Sequence, residues 1–454
     1  MSQPRLLSSP AARRSPPPLL PAATMAAATP TAAEFFADQP SPASLGYRMP
    51  AEYEPHERTY LLWPERLDNW RLNAVPGQKA YVAVATAISR FEPVTVLANP
   101  SSVSLARSML PPQVDVVSCP NNDAWVRDTG ATFLVKAGAD GGAARGGRGG
   151  WRAAGGAGAG AGSGSSPSLG AIDWTFNAYG GEVDGIYADW AADDAIASRL
   201  CALTGARRFR VPLVLEGGSI HVDGRGTALA TEQCLLHPSR NPSLSKAEIE
   251  RWLEAALGVR KVLWLPHGLA HDTDTNGHVD NVACFARPGT VVLAWDDRED
   301  GDNRQRALEN ERALAEQTDA EGRVVQVVRL PTPRPMAYTR DDVASLAPCD
   351  PTLPNDRVAG TPLAPSYVNF YIANGGVVVP QFGDEEADAK ALDILAKTFP
   401  ERTVVGVQTR EIVLGGGNIH CITQQLPKID AEETRGEDDT TATTAPAADS
   451  QGKL

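Results

Sequence analysis

The stretch Leu414-Gly-Gly-Gly-Asn-Ile-His420, which runs directly into Cys421, is echoed earlier in the chain by Leu215-Glu-Gly-Gly-Ser-Ile-His221. A shorter echo links His221-Val-Asp223 with His278-Val-Asp280. Internal similarity of this kind is the sequence signature of architectures made from repeated structural units. The chain is therefore predicted to be built from repeats.

Around these stretches, short apolar runs alternate with amphipathic segments, which predicts an α/β fold and not an all-β one. The predicted strands are Thr59–Trp63, Val94–Ala98, Val114–Val117, Thr227–Thr231, Lys261–Leu265, Thr290–Trp295, Val324–Leu330, Tyr367–Ile372, Gly376–Val379 and Thr403–Val407. The predicted helices are Gly77–Arg90, Asp189–Thr204, Ser245–Leu257, Gln305–Gln317 and Glu385–Thr398. Ser245 with Glu248 three residues later is a capping box that marks a helix start.

Two terminal segments are predicted to lie outside the fold, which leaves a single domain over residues 45–428. Residues 1–44 are predicted to be a disordered extension or an organelle transit peptide, because residues 1–33 contain arginines and many Ser, Ala and Pro but no acidic residue. The location is accordingly predicted as cytoplasmic, plastid or mitochondrial. Residues 429–454 are acidic and lack periodicity, which predicts a disordered tail.

A glycine-rich insert interrupts the domain from Ala137 to Gly170. Fourteen of its 34 residues are glycine, so the insert has too little apolar surface to offset the entropy of ordering it. It is either a linker between domains or a stretched loop between two paired strands, Thr132–Val135 and Ile172–Phe176.

The composition narrows the class of partner. With 42 Lys and Arg against 55 Asp and Glu, the net charge is −13, which disfavours nucleic acid and suits a cationic ligand. The six cysteines form no C-x-x-C pair, which argues against a zinc ribbon or a redox motif. No run of 18 apolar residues is present, so no membrane span is expected.

The residues suited to chemistry lie in four places. Cys421 ends a glycine loop whose backbone can approach a ligand closely, which suits a nucleophile, although a buried inert cysteine is the commoner case. His278 and Asp280 suit a general acid/base and a carboxylate on one face of a strand. Asp128 is either a ligand carboxylate or the ion-pair partner of its neighbour Arg127, and Glu216 either orients a histidine or lies on a turn.

A metal site is the alternative for the histidine-rich stretch, with His271, Asp272, His278 and Asp280 as ligands. The beginning of this stretch, Asp272-Thr-Asp274-Thr-Asn276-Gly277, also matches the first half of a calcium-binding EF-hand loop. The EF-hand interpretation fails because the twelfth position, which requires Glu, is Ala283. The metal-free interpretation is preferred.

Five ordered motifs are together similar to those of the agmatine deiminases (agmatine iminohydrolases). This family belongs to the guanidine-modifying, or pentein, superfamily, together with the bacterial-type peptidylarginine deiminases. The resemblance runs from about Met49 to Lys428. The motifs are Met49-Pro-Ala-Glu-Tyr-Glu-Pro-His-Glu-Arg-Thr-Tyr-Leu-Leu-Trp63-Pro, Trp125-Val-Arg-Asp-Thr-Gly130, Leu215-Glu-Gly-Gly-Ser-Ile220, Asp274-Thr-Asn-Gly-His-Val-Asp-Asn281 and Gly415-Gly-Gly-Asn-Ile-His-Cys-Ile-Thr-Gln-Gln425.

The resemblance implies a five-bladed pseudo-symmetric α/β propeller with its site on the central axis. It implies hydrolysis of agmatine to N-carbamoylputrescine and ammonia, a step in putrescine and polyamine biosynthesis, with no metal or organic cofactor. The resemblance implies that Cys421 is the nucleophile, that His278 is the acid/base and that Glu216 is the carboxylate that holds His278. It implies that Asp128 and Asp280 bind the guanidinium and that Trp125 forms a wall of the pocket. One departure is Ala131, where the family pattern has proline.

Three other functions are weighed against this one. The same chemistry on peptidylarginine or free arginine is the nearest, and free arginine would need a cation for its carboxylate. A metal-dependent hydrolase and a catalytically silent binding protein are more distant, and the presence of all five polar site residues argues against the silent protein. A homo-oligomer is compatible with the sequence.

Overall fold

Five small β-sheets with helices packed against them make up residues 28–136, 168–348 and 357–429, the part of the chain that this computed structural model describes. Their strands, numbered in chain order, are β1 Tyr47–Arg48, β2 His56–Leu62, β3 Val94–Ala98, β4 Val114–Ser118, β5 Thr132–Lys136, β6 Leu169–Thr175, β7 Arg207–Val214, β8 Ile220–Val222, β9 Thr227–Thr231, β10 Lys261–Leu265, β11 Ala283–Arg287, β12 Thr290–Trp295, β13 Gln326–Pro331, β14 Tyr371–Ala373, β15 Gly376–Gln381, β16 Thr403–Gln408 and β17 Gln424–Pro427.

All five sheets share one order of pairing. A first strand pairs antiparallel with a second, and the second pairs parallel with a third. The sheets are β5-β6-β7, β8-β9-β10, β11-β12-β13, β14-β15-β16 and β17-β2-β3, with β1 added beside β5 and β4 beside β3. The repetition confirms the predicted α/β class and the predicted repeats.

A helix joins the second strand of each sheet to the third, because parallel neighbours need a crossover connection. In the order of the sheets above, these helices are Ile196–Thr204, Lys246–Leu257, Arg304–Ala315, Glu385–Thr398 and Val75–Ile88. The shorter α-helices are Ala32–Phe35, Val103–Met109, Val126–Thr129, Gly181–Asp184, Ala191–Asp194, Glu232–Leu235, Arg340–Ala344 and Arg410–Val413, and the 3₁₀ turns are Ala43–Leu45, Leu72–Ala74, Gly217–Ser219 and Val279–Asn281.

Helix Lys246–Leu257 illustrates how the sequence sets these elements. Ser245 and Glu248 form the predicted capping box, and Gly258 ends the helix with a φ of 72° that glycine adopts readily. Its apolar face, at three- and four-residue spacing, is buried against β-strands, and each Leu or Ile so buried contributes roughly 1.5–3 kcal/mol.

Residues 28–44 pack against the domain, so the prediction that the whole of 1–44 is an extension was wrong for this part. Thr31 and Glu34 cap a short helix that carries Phe35 and Phe36, whose ring centres lie 5.3 and 5.5 Å from that of Trp252. Residues 1–27 and the predicted tail from residue 430 onward lie outside the described residues.

The glycine-rich insert joins two paired strands, as one of the two interpretations predicted. β5 and β6 pair antiparallel, with Thr132 opposite Ile172 and Val135 opposite Leu169. The linker interpretation was therefore wrong. Residues 137–167 themselves lie outside the described part of the chain.

Three predicted elements differ from the structure for local reasons. The strand expected through His278 and Asp280 is a 3₁₀ turn, Val279–Asn281. The run Tyr367–Ile372 becomes strand only at Tyr371, because the Ser366 hydroxyl accepts a hydrogen bond from the Val368 N–H and holds a turn there. The helix Asp189–Thr204 is divided at Ala195, after Asp193 and Asp194, whose carboxylates accept hydrogen bonds from other backbone segments.

A short turn or helical segment precedes the first strand of every sheet. These segments are Val126–Thr129, Gly217–Ser219, Val279–Asn281, residues 366–370 and residues 417–423. Most of the predicted site residues lie in or beside these segments, so the repeated fold determines where the site is built. Within the described residues, the helices are too short or too polar to cross a bilayer.

Candidate active site

The predicted site residues converge around two glycines. A Cβ atom built on Gly218 would lie 2.6 Å from His278 Nδ1, 2.8 Å from Asp280 Oδ2 and 3.0 Å from Asp128 Oδ1. A Cβ built on Gly417 would lie 2.7 Å from Trp125 Cζ3 and 3.0 Å from Cys421 Sγ. Both positions need glycine because functional side chains occupy the space that any larger residue would fill.

The two groups of side chains meet at Cys421. Its Sγ lies 3.5 Å from Asp280 Oδ2. Glu216 joins the site through His278, whose Nε2 lies 3.8 Å from Glu216 Oε2. All six predicted residues are thus brought together, from four of the five turn segments, and each is at most 4 % exposed.

Asp128 is a buried carboxylate, and no arginine within the described part of the chain pairs with it. Its Oδ1 accepts a hydrogen bond from the Gly218 N–H at 2.9 Å, and its Oδ2 accepts one from the Tyr179 hydroxyl at 2.8 Å. Burial raises its pKa from 3.8 to about 6, opposed by attraction to the His278 imidazolium. The ion pair with Arg127 that the sequence also allowed does not form, because Arg127 bonds instead to Gln425 and to the His420 carbonyl.

His278 is fully buried between two carboxylates. Its Nδ1 lies 3.8 Å from Asp128 Oδ1, and its Nε2 faces Glu216. Although burial opposes a positive charge, Asp128 and the neighbouring groups Cys234 and Glu216 hold the pKa of His278 well above its usual value, so the ring rests as an imidazolium.

Glu216 contacts His278 as an ion pair at 3.8 Å, longer than the hydrogen bond that the sequence predicted. Its other oxygen lies 2.8 Å from Arg240 Nε. Burial opposes the ionised form, but Arg240 and His278 together lower the pKa of Glu216 to about 2. Glu216 therefore stays charged beside the imidazolium of His278.

Cys421 rests as a thiol. Its Sγ lies 3.2 Å from Asn369 Nδ2. Burial, with the negative charges of Asp280 and Asp128 nearby, raises the pKa of this thiol well above its usual value. A cation placed between the carboxylates would reverse that effect.

Asp280 is anchored on one side. Its Oδ2 lies 2.9 Å from His420 Nδ1, and His420 Nε2 lies 2.7 Å from Glu52 Oε2. Its Oδ1 is buried and has no hydrogen-bond partner among the described residues. Although burial opposes ionisation, the hydrogen bond from His420 lowers the pKa of Asp280.

Trp125 is held by a carboxylate at the edge of its ring. Its Nε1 donates to Asp123 Oδ2 at 3.0 Å, and its ring stacks on Trp70 with centroids 5.4 Å apart. Asp123 also accepts hydrogen bonds from Trp70 and Asn69. The indole of Trp125 is therefore held both through its Nε1 and through one ring face.

Five supporting residues were not singled out from the sequence: Tyr179, Arg240, Asn369, His420 and Glu52. Glu52 and His420 lie inside quoted motifs, and a carboxylate or imidazole there was a usable signal. Nothing in the local sequence marks the other three, because their contacts are all long-range.

The alternative metal set does not form. His271 pairs with Asp302 at 2.7 Å near the surface, and the Asp272 carboxylate accepts hydrogen bonds from Thr275. Neither side chain belongs to the groups of closely spaced metal-ligand atoms found among the described residues.

Two other buried trios have closely spaced ligand atoms: Glu52, His221 and His420, and Glu216, Cys234 and His278. In the first trio, His221 Nδ1 accepts a hydrogen bond from the Phe285 N–H, so the proton of this imidazole is on Nε2. Nε2 is the nitrogen that faces Glu52, and it therefore has no lone pair for a metal ion. In the second, Arg240 already neutralises Glu216 and would repel a metal cation.

A small cavity adjoins the glycine loop. Its lining includes Asp272, Asp274, Tyr338, Arg357 and Gly416. Arg357 is paired with Asp274 at 3.2 Å. The cavity wall therefore offers carboxylates and an arginine whose charge is already balanced.

The chain is similar to known proteins over most of its length. Residues 48–427 match the family described as Porphyromonas-type peptidyl-arginine deiminase. The chain is 48% identical over 390 residues to the agmatine deiminase of Medicago truncatula, covering 86% of this chain and 98% of that protein. It is 47% identical over 392 residues to the agmatine deiminase of Pseudomonas aeruginosa, covering 85% and 97%.

A solved structure is similar as well. The agmatine deiminase of Enterococcus faecalis superposes with a TM-score of 0.76 at 41% identity, covering 86% of this chain and 98% of that one. The chain therefore belongs to the Porphyromonas-type peptidyl-arginine deiminase family and, within it, to the agmatine deiminases.

Proposed function

We propose that the protein hydrolyses the guanidinium group of agmatine to N-carbamoylputrescine and ammonia, in putrescine and polyamine biosynthesis. The observation that carries the proposal is the position of Cys421 Sγ, 3.5 Å from the Asp280 carboxylate, whose other oxygen is buried and has no hydrogen-bond partner among the residues that the structure describes. Such an arrangement suits a nucleophile beside a flat cation. The reaction acts on a C–N bond of a linear amidine.

Asp128 and Asp280 clamp the substrate in this proposal. A guanidinium presents N–H donors in a fixed planar fork, and carboxylates bind that fork through charge-assisted hydrogen bonds. Its central carbon is a poor electrophile, so holding the sulfur at attack distance supplies much of the rate. The bound cation also stabilises the Cys421 thiolate, and the thiol proton passes to solvent as the substrate enters.

His278 then acts twice. Thiolate attack gives a tetrahedral adduct, and the imidazolium protonates the departing nitrogen, which leaves as ammonia. The remaining cationic S-alkylthiouronium is attacked by a water that the now neutral His278 deprotonates. The C–S bond of this second adduct breaks, its hydroxyl proton passes to the departing Cys421 thiolate, and the neutral urea product leaves. Glu216 keeps the imidazole oriented throughout.

The arginine side chains of Arg127 and Arg357 already have partners, which favours agmatine over free arginine as the substrate. Arginine would need a cation for its carboxylate, but Arg127 bonds to Gln425 at 2.8 Å and Arg357 pairs with Asp274 at 3.2 Å. Agmatine lacks the carboxylate, and its amine suits the cavity beside Gly416, where Asp272 remains after Arg357 pairs with Asp274.

The test is turnover of agmatine, free arginine and an arginyl peptide, measured as ureido product. Agmatine alone is expected to react. Preferential turnover of arginine or the peptide would replace the substrate assignment, and no turnover of any would remove the enzyme function. Cys421→Ser is expected to abolish activity and to leave the melting temperature nearly unchanged, and a chelator is expected to have no effect.

We also propose that the five sheets are blades of a pseudo-fivefold propeller with the site on its axis. The shared order of strand pairing and the turn segment before each first strand support this arrangement. A cytoplasmic, plastid or mitochondrial location and a homo-oligomeric state stay predictions from the sequence.

A further inference from the structure

A buried chain of charged groups extends from the clamp residue Asp280 away from Cys421. Asp280 Oδ2 lies 2.9 Å from His420 Nδ1, and His420 Nε2 lies 2.7 Å from Glu52 Oε2. The three residues are at most 4 % exposed. The reaction described above uses neither His420 nor Glu52.

The two contacts determine the protonation state of His420. Each ring nitrogen faces a carboxylate oxygen, and an imidazole has two N–H donors only when it is an imidazolium. A neutral ring would direct a lone pair at a buried carboxylate.

The guanidinium of Arg127 lies near His420 and opposes its positive charge, but the two carboxylates outweigh this effect. Burial and the guanidinium of Arg127, whose Nη2 is 3.6 Å from Glu52, oppose the charge on His420, yet Glu52 and Asp280 hold the pKa of His420 above its usual value. His221, whose ring centre is 6.0 Å from that of His420, is neutral, because burial lowers its pKa to about 4.

The His420 imidazolium holds one carboxylate oxygen of Asp280, Oδ2. With Oδ2 engaged by His420, the carboxylate cannot rotate freely, and its buried, unpartnered Oδ1 is the oxygen left for a ligand. The backbone at this point is held separately, since the His420 N–H donates to Asn369 Oδ1 at 2.9 Å and the carbonyl accepts from Arg127 at 3.2 Å. Changes to the ring therefore test the side-chain contacts and not the path of the loop. Glu52 also accepts a hydrogen bond from the Ile372 N–H at 2.8 Å through Oε1, and a glutamine at this position retains an oxygen for that bond.

We propose that His420 and Glu52 are positioning residues for the deiminase reaction: Glu52 keeps His420 an imidazolium, and the imidazolium holds Asp280 in the orientation that binds the guanidinium. This inference rests on the proposed function. It adds a requirement for a second buried imidazolium besides His278.

Glu52→Gln is the most direct test, because glutamine keeps the shape and a hydrogen-bond acceptor but removes the charge. The alkaline limb of kcat/KM for agmatine is expected to move to lower pH by about one unit, since one of two carboxylates that favour the imidazolium is gone. Glu52→Asp retains the charge and is expected to keep the limb near that of the wild type. His420→Gln is expected to lower kcat/KM by roughly 10- to 100-fold, with KM raised, because the clamp is displaced.

Glu92→Gln is the matched control. Glu92 forms another buried carboxylate–histidine pair, with His56 Nδ1 at 3.2 Å, outside the candidate site. Its loss is expected to lower the melting temperature and to leave the pH profile unchanged. An unmoved alkaline limb in a folded Glu52→Gln, or an equal shift in Glu92→Gln, would overturn the inference.

A measurement on the unmodified enzyme covers the case in which Glu52→Gln does not fold. NMR of ring-¹⁵N-labelled histidine, assigned through the backbone, is expected to give two protonated nitrogens for His420 at pH 8. One protonated nitrogen would overturn the inference. If the wild type does not turn over agmatine, the proposed function fails instead, so the two failures are distinguishable.

Discussion

Asp128 occupies a position that disfavours its own charge. Burial raises its pKa from 3.8 to about 6, and its two hydrogen bonds come from neutral donors, Gly218 and Tyr179. Folding therefore takes up a proton between about pH 4 and pH 6, and above pH 6 the carboxylate destabilises the native state. A site that binds a cation explains why this charge is retained.

Asp128→Asn is accordingly expected to make the protein more stable and less active. The amide can accept from Gly218 and donate to Tyr179, so the free energy of unfolding at pH 8 is expected to rise by roughly 1–3 kcal/mol, while turnover falls by at least about a hundredfold. Denaturant unfolding and agmatine turnover measure the two effects. A destabilised variant with normal turnover would show that Asp128 is structural.

The same pKa predicts the acid limb of the reaction. The carboxylate must be ionised to bind a guanidinium, so kcat/KM for agmatine is expected to fall as the pH drops through about 6, the pKa of Asp128 in the free enzyme. A pH–rate profile measures this limb. A limb near pH 4 would mean that Asp128 behaves as an ordinary exposed aspartate.

The resting state of Cys421 leads to a prediction about its reactivity. As a resting thiol near two carboxylates, it is expected to react slowly with neutral chloroacetamide but much faster with chloroacetamidine, whose cation occupies the clamp. Mass spectrometry of the Cys421 peptide measures both rates, and Asp280→Asn should remove most of the difference. Equal rates in the wild type would contradict a cation-dependent thiolate.

The site is built by turn segments that precede the first strands, and the close approach of these segments depends on small residues. In Gly218→Ala the new Cβ would lie 2.6 Å from His278 Nδ1, so turnover is expected to be lost. Gly322→Ala serves as a control, because its φ of 80° strains the new side chain but no heavy atom lies within 4 Å. It should lose stability and keep activity, and normal turnover in Gly218→Ala would contradict the convergence at Gly218.

Elements with strong local patterns could be predicted from the sequence. Strands β3, β9, β10 and β12 and helix Glu385–Thr398 have the predicted bounds, because each is a buried apolar run or an amphipathic segment with clear ends. The short first strands β8, β11 and β17 were missed, because three to five residues beside glycine or histidine turns carry no periodicity. Their partners across the sheet define them.

Over the whole molecule, the insert should matter little, because β5 and β6 pair directly beside it. Replacing residues 138–167 with a short glycine-containing turn is expected to leave the melting temperature within a few degrees and agmatine turnover within about twofold, since hairpins need only two to five loop residues. Thermal unfolding and turnover test both statements. Inactivity of the shortened enzyme would assign the insert a role in the site.

The candidate site could be predicted in part because its chemical residues lie in short ordered motifs. Cys421, His278, Glu216, Asp128 and Asp280 come together as expected. Tyr179, Arg240 and Asn369 could not be predicted, because each reaches its partner from a segment distant in the chain. That placement depends on packing of the five sheets, which no local pattern encodes.

Attack of Cys421 on the guanidinium carbon is tested most directly by intact-protein mass spectrometry of enzyme quenched in acid during turnover of agmatine. The expected result is a mass gain equal to agmatine less ammonia, located on the peptide that contains Cys421 and absent from Cys421→Ser. Continued turnover by Cys421→Ser, or an adduct on another residue, would contradict it.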